Sequence, residues 1–499
     1  MTENGLVWHR WLYKTAPSKL KNNYDIVIIG AGVVGCALAY ELSQYELSVL
    51  VLEKNTDVGE ATSKSNSAII HTGFDAVPGS LESKLVTRAA YEWPEMAEKL
   101  KAPMIKCGAI MVALNDEQAE QLPALYEKAL QNNQKDVHLL SRDEVLNLAP
   151  NVGDSVKGGM IIPRESIIDP FQVPIGFAEI AVANGVDIIF GSKVETVTKV
   201  ENGLKICIND GLEINTKNCI NAAGLWSREL TKKHAGKVYD TNPRRGQFIL
   251  YDKSARNLVD HIYLPIPTKK TKGMLVAPTI FGNILAGPTA EDLAPDETEA
   301  TITTKEGISQ VKDNALKMCP SLSDHPPIAS YAGLRCNSNA GSYLVEFNDG
   351  LEGMNTITAV RSTGLTSSFT LARYMIKGLV ENCSLNLVKK ENAVDSRPDS
   401  KWPGWWKPPY EQEHVSDEDS EIVCYCENIS LGEINRALDS CLQPKTMDAL
   451  KRRTRSQMGR CQAFNCGVPI ASFVAKKQQT QISEVTKKGL ESAFAGGAC

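Results

Sequence analysis

Two sets of residues in this chain have the types and spacing of sites that do chemistry. The first is Gly30-Ala31-Gly32-Val33-Val34-Gly35, which follows the β-branched run Asp25–Ile29. In a strand–turn–helix of this kind the first glycine permits the tight turn. The second lets the backbone approach a pyrophosphate, and the third lets helix and strand pack closely. The phosphate charge then sits on the helix N-terminus. Glu53, eighteen residues past Gly35, ends the next apolar run, where a carboxylate binds ribose hydroxyls. The second set is Cys424-Tyr425-Cys426 and Cys461-x-x-x-x-Cys466, separated by 34 residues. Two cysteine pairs in a short module read as a metal or cluster site. Four thiolates suit either a [2Fe–2S] cluster or structural zinc.

Between these sets lie residues that extend the first. Glu60 to Ser67 is dense in hydroxyls and amides, with Thr62, Ser63, Asn66 and Ser67 as the candidate contacts. Such a run is most often a plain serine-rich loop. Placed just after the second strand, it suits a long cofactor, FAD and not NAD, running on past the pyrophosphate. Asn218 to Ser227 supports that choice: a strand ends in small residues, and Ala223-Gly224 turns the chain. His71 follows the loop in Ile70-His71-Thr72-Gly73, near the reactive ring of such a cofactor. The protonation range of histidine suits a base for a substrate hydroxyl, against the ordinary reading of a satisfied structural residue. Lys451-Arg452-Arg453-Thr454-Arg455 and Arg460 lie between the cysteine pairs. They read as a solvated basic helix face, or as cations that offset a negative cluster.

The fingerprint, the serine-rich loop, NAAGLWS and the late VRSTGLTSS turn resemble the D-amino-acid-oxidase-like superfamily of FAD oxidoreductases, over about residues 22–385. The resemblance implies FAD extended across a Rossmann-like half, with substrate between the flavin and an antiparallel sheet. By motif it places Gly364 and Leu365 at the start of the last helix, near the flavin pyrimidine. A helix N-terminus there stabilises the anionic reduced ring. It makes Arg335, in Ala332-Gly333-Leu334-Arg335, the grip on a substrate carboxylate or phosphate, a task suited to a guanidinium fork. Arg361, before the Ser-Thr-Gly turn, is a weaker cofactor-side candidate. Arg244 and Arg245 read better as surface salt bridges.

The C-terminal segment CYCENIS…DALKRRTRSQMGRCQAFNC resembles the bacterioferritin-associated-ferredoxin-like [2Fe–2S] module of anaerobic glycerol-3-phosphate dehydrogenase catalytic subunits. Resemblance to that FAD-dependent family implies oxidation of sn-glycerol 3-phosphate to dihydroxyacetone phosphate. It implies hydride transfer to the flavin and electrons leaving through the cluster to a quinone-linked acceptor. The implied partners are a small anionic substrate and an electron-accepting, membrane-associated subunit. The segment HTGFDAVPGS departs from this pattern and looks closer to the branch that includes L-2-hydroxyglutarate dehydrogenases. The alternatives are therefore a 2-hydroxyacid or amine dehydrogenase or, in another class, a non-catalytic FAD scaffold with a zinc module.

The elements that must position these residues follow from length and pattern. The chain has 499 residues, 42% of them hydrophobic and 23% charged, with a net charge of −5. That is globular composition with room for about three domains. The acidic balance excludes a general nucleic-acid binder, which presents a basic face. No apolar run spans a bilayer, and the first twenty residues lack a secretory h-region. Thirteen cysteines, mostly isolated, fit a reducing cytoplasm, with peripheral membrane attachment only through a partner. The expected fold is α/β. A Rossmann-like FAD domain (23–392) carries an inserted antiparallel sheet (about 240–345), after an N-terminal arm (1–22) containing Trp8, Trp11, Leu12 and Tyr13. Residues 81–130 read as helix-rich. A Pro/Trp-rich linker (393–420), a cluster module (421–475) and a polar tail (476–499) complete the chain.

Overall fold

The computed structural model describes residues 5–10, 19–267, 273–398, 416–489 and 491–494. Its first layer grows from the strand Asn23–Ile29, in which Ile26, Val27 and Ile28 are wholly buried. A strand apolar on both faces fits the middle of a covered parallel sheet. It runs parallel to Val49–Glu53 on one side and to Glu213–Asn221 on the other. Asp187–Phe190 and Val7–His9 extend the parallel sheet outward, and Met354–Thr358 joins it beside Glu213–Asn221. An antiparallel pair, Gly203–Ile208 and Val194–Val200, closes the other edge.

Alternation along each strand divides the core in two. Ile26, Ile28, Val49 and Val51 face a layer of four helices, Val33–Leu42, Leu81–Leu100, Gln172–Ala183 and Gly364–Asn382. Val27, Leu50 and Leu52 face the antiparallel extension. Each buried aliphatic side chain contributes about 1.5–3 kcal/mol. Residues 7–9 tie the arm to its own domain: Trp8 is buried and its strand edges the sheet. Trp11, Leu12 and Tyr13 lie outside the described residues, as do Trp402, Trp405 and Trp406 of the linker.

The second sheet is built on the long pair Thr241–Tyr251 and Pro327–Ser338. Ile284–Gly287, Leu275–Pro278 and Ile262–Pro265 follow in order. The sheet then continues through Ala109–Ala113, Gly158–Ile162 and His138–Ser141. It therefore takes strands from well before residue 240, one of them inside the stretch expected to be helical. The run AIMVA is too short for periodicity to separate strand from helix. Pairing on both sides makes it a strand.

The last unit contains the short strands Ile422–Cys424 and Ile429–Ser430 and the helices Leu431–Leu438, Met447–Thr454 and Gly467–Gln478. Ser430 and Glu433 form a reciprocal capping box at the first helix. The polar tail does not trail away. Val485 is buried in this unit's core, Thr486 bridges to Thr446 and Ala493, and Phe494 packs against the same core. Among the described residues no helix is long and apolar enough to cross a membrane.

Candidate active site

One cavity opens where the first strand meets the first helix. Its walls include Gly30, Gly32, Glu53, Thr62, Ser63, Asn66, Ser67, Ala223, Gly224, Arg335, Arg361, Gly364 and Leu365. Gly35 lies behind it. A Cβ on Gly35 would sit 1.9 Å from the Gly30 carbonyl oxygen, so only glycine lets helix and strand approach this closely. Gly30 has φ +103°, in the region that favours glycine. Glu53 accepts hydrogen bonds from the Ala31 N–H at 2.7 Å and the Asn55 N–H at 2.8 Å. Burial raises its carboxyl above the ordinary range despite those donors.

The serine-rich loop is held over the helix start. Ser63 Oγ accepts the Val33 N–H at 2.9 Å, and Thr62 donates to the Leu334 carbonyl at 2.7 Å. Asn66 spends its amide on Ser63 and Ala68, which turns the loop. Two features fit a dinucleotide. Gly32 begins a helix that has no side-chain cap of its own, and a Cβ on Gly224 would meet nothing within 4 Å. At the far end Gly364 starts a 19-residue helix whose N-terminus no side chain caps. Its orphan N–H groups and positive dipole end suit an electron-rich ring.

The two catalytic candidates are placed differently. Arg335 stands in the cavity wall. Its Nη2 donates to the Thr289 carbonyl at 2.8 Å, while its Nε is buried without a partner. Burial, with Arg244 nearby, pulls its guanidinium down to about 10. An under-used cation at a cavity wall can bind an anion. His71 does not border that cavity. It sits beside the start of the last helix, its backbone N–H donating to Thr366 Oγ1 at 2.9 Å. Its Nδ1 lies 3.0 Å from Glu165 Oε2, and Glu165 is fully buried. Thr72 donates its N–H and its hydroxyl to the other oxygen, at 2.6 and 3.1 Å. A carboxylate accepting from Nδ1 leaves Nε2 with the lone pair.

Arg361 is less free than its position implies. It pairs with buried Glu82 and donates to the Gly341 carbonyl, although its Nε has no partner. Arg244 and Arg245 make two-pronged pairs with Asp292 and Glu291, in keeping with the salt-bridge reading.

The four module cysteines are free thiols that stand as two pairs in contact. The Cys424 thiol contacts Cys466, and the Cys426 thiol contacts Cys461. The contact from Cys466 holds the Cys424 thiol below its ordinary value, and the same contact raises Cys466. A ready thiolate is what metal ligation requires. Among the described residues no group of three such side chains is placed to hold a metal ion.

A family model for FAD dependent oxidoreductases matches residues 25–377. The chain belongs to that family. This oxidoreductase also matches a BFD-like [2Fe-2S] binding domain over residues 422–476, which sets the zinc alternative aside. Its cofactors are FAD and a [2Fe–2S] cluster. It is 35% identical over 474 residues to a glycerol 3-phosphate dehydrogenase of Caloramator mitchellensis, covering 93% of this chain and 96% of that one. It is 30% identical to a glycerol 3-phosphate oxidase of Mycoplasma pneumoniae, over 74% of this chain and 96% of the other. The structure of an L-alpha-glycerophosphate oxidase from Mycoplasma pneumoniae with FAD bound superposes with TM-score 0.70 at 29% identity, over 75% of this chain and 98% of that one.

Sequence reasoning missed Glu165, Glu82, Asp57 and Glu60. None of them carries a local sequence signal that sets it apart. It also misread the basic run. Arg452 and Arg453 are buried at the joint with the FAD domain, neither solvated nor committed to the cluster alone.

Proposed function

We propose that this oxidoreductase oxidises sn-glycerol 3-phosphate to dihydroxyacetone phosphate and passes the electrons to a quinone-linked acceptor presented by a membrane-associated subunit. The observation that carries this reading is the likeness to the Caloramator dehydrogenase, which runs through both the FAD domain and the cluster module. When bound, FAD supplies the hydride acceptor and the [2Fe–2S] cluster a one-electron outlet.

The chain's own residues divide the remaining work. Gly30 and Gly32 clear space for the pyrophosphate, and Glu53 holds ribose hydroxyls. Thr62, Ser63, Asn66 and Ser67 would hold the cofactor from the loop, and Ala223 and Gly224 line the same cavity. The Gly364–Leu365 turn would present its N–H groups to the flavin pyrimidine, and Arg361, held by Glu82, lines the same cavity. Arg335 binds the substrate phosphate. His71 takes the hydroxyl proton at Nε2, fixed in orientation by Glu165 at Nδ1. The two electrons leave the carbinol carbon as hydride, so proton and hydride depart separately. Cys424, Cys426, Cys461 and Cys466 ligate the cluster.

Anaerobic holoenzyme mixed in turn with glycerol 3-phosphate, L-2-hydroxyglutarate and glycine tests the substrate. Bleaching of the flavin bands by glycerol 3-phosphate alone is expected. Bleaching only by the hydroxyacid or the amine would replace the proposed substrate.

A further inference from the structure

The basic run between the cysteine pairs enters a buried charge cluster that joins the two cofactor units. Asp57 lies four residues past Glu53, in the loop that leads to the serine-rich turn. Its carboxylate accepts from Arg453 Nη1 and Nη2 at 2.6 and 2.8 Å and from Arg452 Nη2 at 2.6 Å. Arg452 also donates to Glu60 at 2.9 Å and pairs with Asp448. Lys64 closes the group, 2.8 Å from both Glu60 and Asp448. Three carboxylates meet Arg452, Arg453 and Lys64, with Lys451 at the rim. Arg453 is among the largest fully buried side chains in the chain.

Ion pairs this deep return little net stability, because stripping water from both ions costs about what their attraction returns. What a guanidinium fork does supply is a fixed angle and distance. On one side, the loop is stitched to the dinucleotide turn. Gly59 N–H donates to the Ala31 carbonyl at 2.8 Å, and Ser63 caps Val33. On the other side, the helix Met447–Thr454 runs into Arg455, which pairs at 3.1 Å with Glu427, the residue after Cys426. A second, more open anchor fastens the cysteine loops to the substrate sheet. Arg455 lies 3.4 Å over the Phe281 ring, Lys253 pairs with Glu427, and Arg460 pairs with Asp252. Asp57, with Glu60 beside it, joins the cluster module to the cofactor loop through charges closed to water.

We propose that Asp57 is a positioning residue that locks the cluster-bearing module onto the loop over the flavin cofactor, setting both FAD retention and the rate at which the cluster is reduced. This rests on the reading that electrons pass from FAD to the cluster.

The test uses anaerobic holoenzyme, mixed rapidly with glycerol 3-phosphate, and follows flavin bleaching and cluster reduction separately. FAD affinity is measured alongside. Asp57→Asn, with FAD saturating, is expected to bleach at the wild-type rate. It should reduce its cluster about tenfold more slowly and bind FAD about tenfold more weakly, because it strands two buried arginines. Arg453→Met should give the same two defects, and the double variant should be no worse than either single, since all three remove one contact. Lys64→Met removes only the least buried of the cations Arg452, Arg453 and Lys64 and serves if Asp57→Asn does not accumulate. It should show the same defects at about threefold. Unchanged cluster reduction and FAD affinity, in whichever variant accumulates with full iron and sulfide, overturn the proposal. A wild-type cluster that stays oxidised while the flavin bleaches defeats the electron-route reading instead. FAD affinity alone then decides whether Asp57 locks the module.

Discussion

Glu165 shows how much of the proposed base lies outside any motif. It reaches His71 across 94 residues of sequence and is wholly buried, so its carboxylate is committed to His71 and Thr72. Glu165→Gln should lower kcat roughly a hundredfold with KM little changed, as expected when a base loses its orientation. Steady-state kinetics with an artificial electron acceptor reads that split. Arg335→Lys should act in the opposite sense. It keeps the charge but loses the fork, so KM for glycerol 3-phosphate should rise by roughly tenfold, the size of one charged hydrogen bond. At this scale the glycines and cysteines were legible, because backbone clearance and thiol spacing are local. The carboxylates were not, because the partners that give Glu165, Glu82 and Asp57 meaning are 94, 279 and 396 positions away. The tie of Arg361 to Glu82 was hidden for the same reason, since that partner is invisible from its own neighbours.

Elements carry two further consequences. Gly35→Ala would place a Cβ 1.9 Å from the Gly30 carbonyl and push the first helix off its strand. Overpacking of this kind costs about 1–3 kcal/mol, and the purified variant should show a lower ratio of flavin to protein absorbance. Asp169 precedes the helix Gln172–Ala183 and accepts the Phe171 and Gln172 N–H groups at 2.9 and 3.2 Å. Burial nevertheless raises its carboxyl from 3.8 to about 6. A raised folded-state value means its stabilising contribution is complete below pH 3.8 and is lost as pH rises through about 6. Asp169→Asn keeps an acceptor and avoids the ionisation. Its denaturant midpoint should therefore match wild type near pH 4 and exceed it at pH 8, by about 3 kcal/mol at most. The parallel strands and the last helix were readable from continuous apolar runs and glycine stops. Ala109–Ala113 was not, because a five-residue apolar run becomes a strand only when its neighbours pair with it.

At the scale of the whole molecule, two cofactor units are fastened to each other and to the substrate sheet by charges the sequence distributes over about 400 positions. The order of the units could be read from composition, but their contact could not. The basic run was visible and its acidic partners were not. The proposed route requires that glycerol 3-phosphate reduce the flavin and that the electrons then reach the cluster. Rapid mixing of anaerobic, cluster-loaded enzyme with glycerol 3-phosphate, frozen at intervals and read by electron paramagnetic resonance, tests it most directly. A reduced [2Fe–2S] signal that grows in as the flavin bands fall is the predicted result. A flavin that bleaches fully while the cluster remains silent would contradict the route, and a flavin that stays oxidised would contradict the substrate as well.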